Sequence, residues 1–379
     1  MPIESCRICG RRLPAEPLLR YSNMPKSAQF MPDAEALASD NGIDLDIRQC
    51  TGCGTVQLTN DPVPYYREVI RASAFSNEMR AFRKNQFRDF VARYSLEGKK
   101  VIEVGCGRGE FMKIMNECGA EAYGLEYSED SVRSCIENGL RTFRGYVESA
   151  DWKAPGAPFD AFYVLNFLEH MPDPNSVLGG ICNSLRDGAV GLVEVPNFDM
   201  ILRTKLFSEF ISDHLFYFTR NSLNCLLSLN GFEIIESREV WHDYVISSVV
   251  RKRGKPDVAD FDAGLARVRG QLDAFVASYG RGRVAIWGAG HQALTMIAMA
   301  GLAGKIRYVV DSAPFKQGRY TPVTHIPIVS PQTLESDPVD AIVVMAASYS
   351  DEVAVLIRQE HGNRMSVAIL RDSGLQMYC

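Results

Sequence analysis

Apolar runs rich in β-branched residues alternate with polar, helix-forming stretches from residue 100 to about residue 250. Each run has the length of a buried strand and ends in glycine, an acidic residue or another polar residue. This alternation is typical of an α/β domain built on a doubly wound sheet. The predicted strands comprise residues 101–104, 122–126, 159–165 and 190–196.

The stretch before the first of these strands predicts an amphipathic helix. Apolar residues with charges between them form a stripe through residues 71–100, as expected of a helix that packs one face on the sheet. The stripe consists of Phe75, Met79, Phe82, Phe87 and Phe90.

The strand and helix pattern begins again after a basic linker at residues 251–256. An amphipathic helix near residues 260–278 comes first, and a strand that runs into a glycine turn follows it. We therefore expect a second, smaller Rossmann-like domain. Its predicted strands lie within residues 283–290, 305–311 and 339–345.

The length of 379 residues allows two or three domains, each with a core of its own. We expect an N-terminal zinc-binding module over residues 1–70, a central domain over residues 71–255 and a C-terminal Rossmann-like domain over residues 256–379. The net charge of −5 gives no argument for a nucleic-acid or membrane partner. No apolar run has the length of a membrane span, and the first residues lack the features of a signal peptide. These features predict a cytoplasmic protein, in which the ten cysteines are not expected to form disulfides.

Four of the cysteines form two C-x-x-C pairs in the first segment, and a glycine follows each pair. Four thiolates in two such pairs match a tetrahedral structural Zn²⁺ site. A redox pair would be single and would follow a strand, and a DNA-reading finger would need a histidine pair and a basic helix. The predicted ligands of a structural zinc ion are Cys6, Cys9, Cys50 and Cys53.

The first predicted strand of the central domain ends in E-V-G-C-G-R-G, residues 103–109. A strand, a glycine turn and a helix in that order are typical of a nucleotide-binding unit, but the dinucleotide pattern G-x-G-x-x-G is absent. The carboxylate of Glu103 would repel a phosphate and would tolerate a cationic amino acid. The stretch resembles motif I of class I S-adenosylmethionine (SAM) methyltransferases, in which glycines at the positions of Gly105, Gly107 and Gly109 let the backbone approach the methionine part of SAM.

Polar residues follow the next two predicted strands of the central domain. Glu126 ends the second strand, where a carboxylate can accept both ribose hydroxyls of a nucleoside. Asn166 and His170 follow the strand at 159–165 and are expected to face the SAM sulfonium and the acceptor. Tyr146 and Glu148 are weaker candidates for the loop near the adenine.

Over nearly its whole length the chain resembles the three-domain, zinc-containing sugar C-methyltransferases that act on dTDP-linked 4-keto deoxysugars. The two cysteine pairs, the glycine turn with N-F-L-E-H-M-P-D, and the C-terminal stretches at 311–320 and 325–328 carry this resemblance. It implies SAM as the methyl donor, structural zinc and a small-molecule acceptor, a nucleotide-linked sugar methylated at carbon.

The resemblance also implies a general base. Members of this family use a Tyr-x-Glu-His stretch whose histidine removes the proton next to the keto group, and the matching residues here are 211–214. His214 is the implied base and Asp213 takes the place of the glutamate, whereas Ile211 replaces the tyrosine. Residues 74–76 lie where a second tyrosine is expected. His170 would be a secondary polar contact, and Asp213 would bind or orient the acceptor.

Several alternatives remain open from the sequence. The same histidine could serve O- or N-methylation of another small metabolite, or it could be a structural residue of the aromatic stretch that follows it. The G-x-G turn at residues 288–290, with Asp311 after the next strand, could mark a reductase half that binds a nicotinamide cofactor. Lys316 and Arg319 are candidate contacts to an acceptor's phosphates. A zinc-stabilised binding module without chemistry is a further possibility, and the sequence defines neither the oligomeric state nor the particular acceptor.

Overall fold

The computed structural model describes residues 3–28, 31–68 and 76–378. The chain divides into two compact units, Met1–Lys255 and Pro256–Cys379, which we call the first and the second unit. Phe75 of the predicted apolar stripe and residues 74–75, near the expected second tyrosine, lie outside the described residues.

The first unit contains mixed β-strands and α-helices. Its strands are β1 (Leu19–Met24), β2 (Ile43–Gln49), β3 (Val56–Leu58), β4 (Lys100–Val104), β5 (Glu121–Glu126), β6 (Arg141–Arg144), β7 (Phe159–Leu165), β8 (Leu185–Pro196), β9 (Phe216–Tyr217), β10 (Phe232–Val240) and β11 (Val245–Lys252). Its helices are α1 (Asn77–Arg93), α2 (Glu110–Glu117), α3 (Glu129–Glu137), α4 (Pro174–Asn183), α5 (Phe198–Thr204) and α6 (Arg220–Leu229). Short 3₁₀ helices span Ala36–Ser39, Leu168–His170 and Phe207–Glu209.

Seven of these strands form one sheet in the order β10-β11-β8-β7-β4-β5-β6. The strands are parallel except for β11, which pairs antiparallel with both neighbours. The chain moves outward from β4 through β5 to β6, then crosses back and moves outward again from β7. The carboxyl ends of β4 and β7 therefore bound a crevice where the winding direction changes, which is the usual ligand position in such sheets. The doubly wound central sheet predicted from the sequence is confirmed.

A second sheet of the first unit joins the N-terminal segment to the central domain. Its antiparallel order is β1-β2-β3-β9, and β9 lies far along the chain from the other three strands. Val56 pairs with Tyr217, and the amide of Leu58 donates to the carbonyl of Leu215 over 2.9 Å. The apolar residues of the N-terminal segment and of the stretch after residue 214 consequently share one core. The sequence did not predict this pairing.

The second unit is a smaller α/β layer structure. Its strands are β12 (Val284–Trp287), β13 (Val309–Val310), β14 (Ile328–Val329), β15 (Ala341–Val344), β16 (Ser366–Arg371) and β17 (Gly374–Tyr378). Its helices are α7 (Phe261–Tyr279), α8 (His291–Met299), α9 (Thr333–Ser336) and α10 (Ser350–His361). The sheet order is β14-β13-β12-β15-β16-β17, with only β17 antiparallel. This order confirms the predicted Rossmann-like fold.

Across the described ranges, none of the helices combines the length and the apolar character needed to cross a lipid bilayer.

Candidate active site

The turn after β4 has a backbone conformation that strongly favours glycine. Gly105, Gly107 and Gly109 have φ values of +75°, +56° and +80°, which side chains rarely tolerate. A Cβ atom on Gly109 would lie 2.3 Å from Cδ1 of Leu140, which is too close. The three glycines predicted from the sequence therefore form one tight turn at the carboxyl end of the central strand, where Gly105 lines a crevice.

Two buried carboxylates flank this turn. Glu103 lies within β4 and is 1% exposed. Glu126, equally buried at the end of β5, accepts hydrogen bonds of 2.9 Å from the amides of Gly107 and Ser128. The Glu126 carboxylate thus holds the turn in place, and it also lines the crevice beside Gly105.

The crevice adjoins a cleft of ≈ 520 Å³ rich in aromatic side chains, and Glu148 also lines this cleft. The guanidinium carbon of Arg67 lies 5.3, 5.7 and 5.3 Å from the ring centroids of Tyr66, Tyr127 and Tyr146. A cation over aromatic faces at these distances is an attractive contact. Of these residues only Tyr146 was singled out from the sequence, because Arg67 and Tyr66 belong to a segment without a recognisable motif.

The polar residues after β7 lie at the same edge of the sheet. Asn166 is exposed and has a φ of +47°, and its backbone N–H donates to the backbone carbonyl of Glu194 over 2.8 Å. The ring of His170 lies 4.9 Å, centroid to centroid, from the ring of His214. The structure therefore brings together two histidines that are distant in the sequence. Nδ1 of His170 donates to the carbonyl of Asp213 over 2.7 Å, which fixes the orientation of the ring.

Glu169, which lies in the same sequence stretch as Asn166 and His170, is buried close to the two histidines. Its side chain is 1% exposed, and one carboxylate oxygen is 3.9 Å from Nε2 of His170. Burial raises the pKa of Glu169 to about 8. Burial also lowers the pKa of His170, and burial together with neighbouring His170 lowers the pKa of His214 to about 3. Both imidazoles are therefore neutral near pH 7.

The sequence predicts that Asp213 contacts the acceptor, and the structure shows that its carboxylate also has hydrogen-bond partners within the protein. Its buried carboxylate accepts a hydrogen bond of 2.6 Å from the hydroxyl of Tyr65 and one of 3.0 Å from the amide of Ala28. Both donors belong to the N-terminal segment. Ile211, which replaces the expected tyrosine, is held through its own backbone, because its amide donates to the hydroxyl of Tyr217 over 2.9 Å. The loop before His214 is thus held by hydrogen bonds to the N-terminal segment and to Tyr217.

The four predicted zinc ligands converge at one point. Their sulfur atoms all lie within 4.8 Å of one another, with 3.6 Å between Cys6 and Cys53 and 3.5 Å between Cys9 and Cys50. Four thiolates around a tetrahedral Zn²⁺ lie about 3.8 Å apart, given Zn–S bonds of about 2.3 Å. Backbone amides of the two knuckles point at Cys6 and Cys50, over 3.4 and 3.3 Å. The cluster fits a structural zinc ion and offers it no open position for catalysis.

The glycine turn after β12, in the second unit, is hydrogen-bonded to the acidic residue that follows β13. The carboxylate of Asp311 accepts from the amides of Ala289 and Ala313, over 2.8 and 2.9 Å, and from the ammonium of Lys316 over 2.9 Å. Gly288 has no room for a side chain, since a Cβ there would lie 2.5 Å from the carbonyl oxygen of Met345. Lys316, a candidate phosphate contact, is therefore paired within the turn, whereas Arg319 is exposed.

Known protein families match residues in both units of the chain. A methyltransferase-domain family matches residues 79–237, and a family described as the C-methyltransferase C-terminal domain matches residues 254–368. The C-methyltransferase NovU of Streptomyces niveus is 24% identical, over 97% of this chain and 96% of its own. The ubiquinone biosynthesis O-methyltransferase of Methylococcus capsulatus is 35% identical over 26% of this chain and 43% of its own length.

Solved structures with partial similarity include two methyltransferases. The plantazolicin methyltransferase BpumL in complex with SAH covers 48% of this chain and 87% of its own, with 11% identity and a TM-score of 0.38. A SAM-dependent methyltransferase of Clostridium acetobutylicum covers 48% of this chain and 96% of its own, with 12% identity and a TM-score of 0.39.

The glycine turn on a doubly wound sheet, together with the two domain matches, defines a SAM-dependent methyltransferase. Within that class, the C-terminal domain match and the full-length relative support a C-methyltransferase.

Proposed function

We propose that this enzyme transfers the methyl group of SAM to a carbon next to the keto group of a nucleotide-linked deoxysugar, with His214 as the general base. The observation that carries the proposal is the pair formed by His170 and His214 at the edge of the sheet that also holds the glycine turn. The similarity along the full chain to a protein named a C-methyltransferase supports transfer to carbon.

The donor site in this proposal is the crevice at the ends of β4, β5 and β7. Bound SAM supplies an electrophilic methyl group and leaves as a neutral thioether. The turn of Gly105, Gly107 and Gly109 would let the methionine part of SAM approach the backbone closely, with Glu103 buried behind the turn. Glu126 would accept from the ribose hydroxyls, and Asn166 would lie near the sulfonium.

Transfer to carbon needs a base, because a carbon beside a ketone becomes nucleophilic only after it loses a proton. An imidazole nitrogen of His214 can accept that proton, since no described residue forms a hydrogen bond with this ring. His170 would contact the acceptor beside the transferred methyl group. Asp213 would act as a positioning residue, because its carboxylate is already bonded to Tyr65 and Ala28.

We further propose that Cys6, Cys9, Cys50 and Cys53 hold a structural Zn²⁺. The spacing of the four sulfur atoms supports this assignment. Since the segment between the two cysteine pairs carries β1 and β2, the ion would stabilise the sheet whose last strand follows His214.

Oxygen methylation is a second candidate, and two observations favour it. Ile211 stands where the resemblance implies a tyrosine near the acceptor. In addition, 26% of the chain is similar to a ubiquinone biosynthesis O-methyltransferase. In that reaction His214 would take the proton of a hydroxyl group.

The test is methyl transfer from ¹³C-methyl SAM to a dTDP-4-keto deoxysugar in D₂O, read by NMR and mass spectrometry. A labelled methyl group on the carbon next to the ketone, with deuterium uptake at that carbon in the absence of SAM, is the expected result. A methyl signal on oxygen, with no deuterium uptake, would replace C-methylation by the second candidate.

The base is tested with His214→Asn. Turnover should fall by about 10²–10⁴-fold, the usual contribution of a general base. The control is His361→Asn, which removes another largely buried imidazole, in the second unit, and should leave turnover near the wild-type rate. Near-normal turnover of His214→Asn would exclude His214 as the base.

A further inference from the structure

Three possible metal-ligand atoms lie close together at the edge of the sheet that holds the glycine turn. A carboxylate oxygen of Glu169 and ring nitrogens of His170 and His214 all lie within 4.8 Å of one another. Oε2 of Glu169 is buried and has no hydrogen-bond partner among the described residues. The other oxygen, Oε1, lies 3.9 Å from Nε2 of His170. A buried carboxyl group with one unpartnered oxygen is costly unless a ligand supplies the missing interaction.

The orientation of His170 adds a second, independent observation. Its Nδ1 donates to the backbone carbonyl of Asp213 over 2.7 Å, so that Nε2 is the nitrogen directed at Glu169. Histidines that bind metals almost always donate their other ring N–H to a carbonyl or carboxylate in this way. The ring of His170 is therefore held in the tautomer that a cation needs.

A positive charge near the ketone oxygen of the acceptor would also favour the proposed reaction. Removal of the proton next to a ketone builds negative charge on the ketone oxygen, and that charge must be stabilised for the carbon to react. Ile211 occupies the position at which the resemblance implies a tyrosine, and its side chain cannot donate a hydrogen bond. A cation held by the side chains that surround His214 would supply the missing positive charge.

We propose that Glu169, His170 and His214 form a centre for a divalent cation that binds the keto oxygen of the acceptor. The inference rests on the proposed function, because it uses the same acceptor and the same edge of the sheet. One carboxylate and two imidazoles suit Mn²⁺, Fe²⁺, Co²⁺ or Zn²⁺. The site differs in kind from the all-sulfur cluster of Cys6, Cys9, Cys50 and Cys53.

The cation and the base role of His214 are compatible if His214 is the exchangeable ligand. Glu169 and His170 belong to one 3₁₀ turn, and the carbonyl of Glu169 is tied to the amide of Leu215 over 2.8 Å. The ring of His214 has no hydrogen bond to a described residue, so the keto oxygen of the acceptor can displace it from the ion.

The freed imidazole then takes the carbon-bound proton, and the electron pair of that C–H bond forms the enolate. The enolate carbon attacks the methyl group of SAM, and the electron pair of the broken C–S bond stays on sulfur. The proton leaves His214 for water, which restores the starting state.

Calorimetry and electron paramagnetic resonance with Mn²⁺ on the full-length, zinc-loaded protein test the site, because Mn²⁺ prefers oxygen and nitrogen ligands to thiolates. We expect one Mn²⁺ bound per chain, and affinity lower by about tenfold or more in Glu169→Gln and in His170→Asn. His361→Asn is the matched control and should bind Mn²⁺ like the wild type. SAM binding by calorimetry verifies that each variant is folded.

Mn²⁺ binding that is absent, or that is unchanged in both variants, would overturn the cation centre. The product and the effect of Mn²⁺ distinguish failure of the cation centre from failure of the proposed function. C-methylated product formed at the same rate with Mn²⁺ and after its removal would overturn the cation and leave C-methylation standing. Site-dependent Mn²⁺ binding with a product methylated on oxygen would support the cation and overturn C-methylation.

Discussion

The hydroxyl of Tyr65 donates a hydrogen bond of 2.6 Å to Oδ1 of Asp213, which directly precedes His214. This bond joins the segment after the second cysteine pair to the loop that carries the candidate base. Burial and the adjacent Asp213 carboxylate raise the pKa of Tyr65 to about 12, so the hydroxyl keeps its proton and remains a donor.

Removing this hydroxyl in Tyr65→Phe should lower the free energy of unfolding by about 1.5–3 kcal/mol, as expected for a hydrogen bond to a charged group. We also expect kcat to fall while SAM affinity is unchanged, because the glycine turn does not involve Tyr65. Urea unfolding, steady-state kinetics and SAM calorimetry measure the three quantities.

The matched control for that variant is Tyr308→Phe. The hydroxyl of Tyr308 donates to the carbonyl of Asp337 in the second unit. Its loss should lower stability without a change in kcat. Equal effects of the two variants on kcat would show that Tyr65 acts through stability alone.

Local patterns were enough to predict the sheet and the glycine turn. The strand ending at Val104, the alternate glycines after it and Glu126 are encoded within short stretches, and the structure bears out the doubly wound sheet they predict. Both cysteine pairs could be recognised for the same reason, since two C-x-x-C spacings suffice.

The surroundings of His214 could not be predicted, because they depend on contacts between distant parts of the chain. β9 has only two residues and no periodicity, and its partner Val56 is more than 150 residues earlier in the sequence. Tyr65 and Arg67 lie outside any motif. Glu169 belongs to the N-F-L-E-H-M-P-D stretch, but only the fold shows that its carboxylate is buried beside two histidines.

Removal of the proposed zinc ion should affect the candidate active site through the sheet that contains β9. We expect Cys50→Ser to release zinc, to lower the melting temperature of the first unit and to reduce kcat, because Cys50 is 1% exposed and directly follows β2. Structural zinc sites contribute folding free energy outright. Metal analysis, calorimetry and kinetics are the measurements.

Cys182→Ser is the control for the zinc experiment, since Cys182 is half-buried and lies outside the four-sulfur cluster. It should retain one zinc per chain. Full zinc content in Cys50→Ser would contradict the assignment of Cys50 as a ligand.

A methyl group at Gly109 should damage the donor site. Gly109→Ala places a side chain at a φ of +80°, with its Cβ 2.3 Å from Leu140, so the turn must shift. We expect SAM affinity to fall about tenfold or more, which corresponds to ~1.4 kcal/mol of binding free energy. Gly98→Ala is a matched control: its φ is +65°, but no atom lies within 4 Å of the added Cβ. That variant should lose only about 1–2 kcal/mol of stability from backbone strain and should bind SAM normally. Equal SAM affinities in the two variants would argue against a donor site at this turn.

Among the described residues of the first unit, the ion pair between Arg83 and Glu194 should be the costliest to break. The two side chains are 1% and 0% exposed, 2.5 Å separates their charged atoms, and Gln86 also donates to Glu194. Arg83→Met would leave the carboxylate of Glu194 buried without its cation, which typically costs about 3–5 kcal/mol. Arg93→Met breaks the pair with Glu236, in which the arginine is largely exposed, and should change the free energy of unfolding far less. Denaturant unfolding of both variants measures the difference. Similar losses of stability would contradict the expectation that the charge of Glu194 is left uncompensated without Arg83.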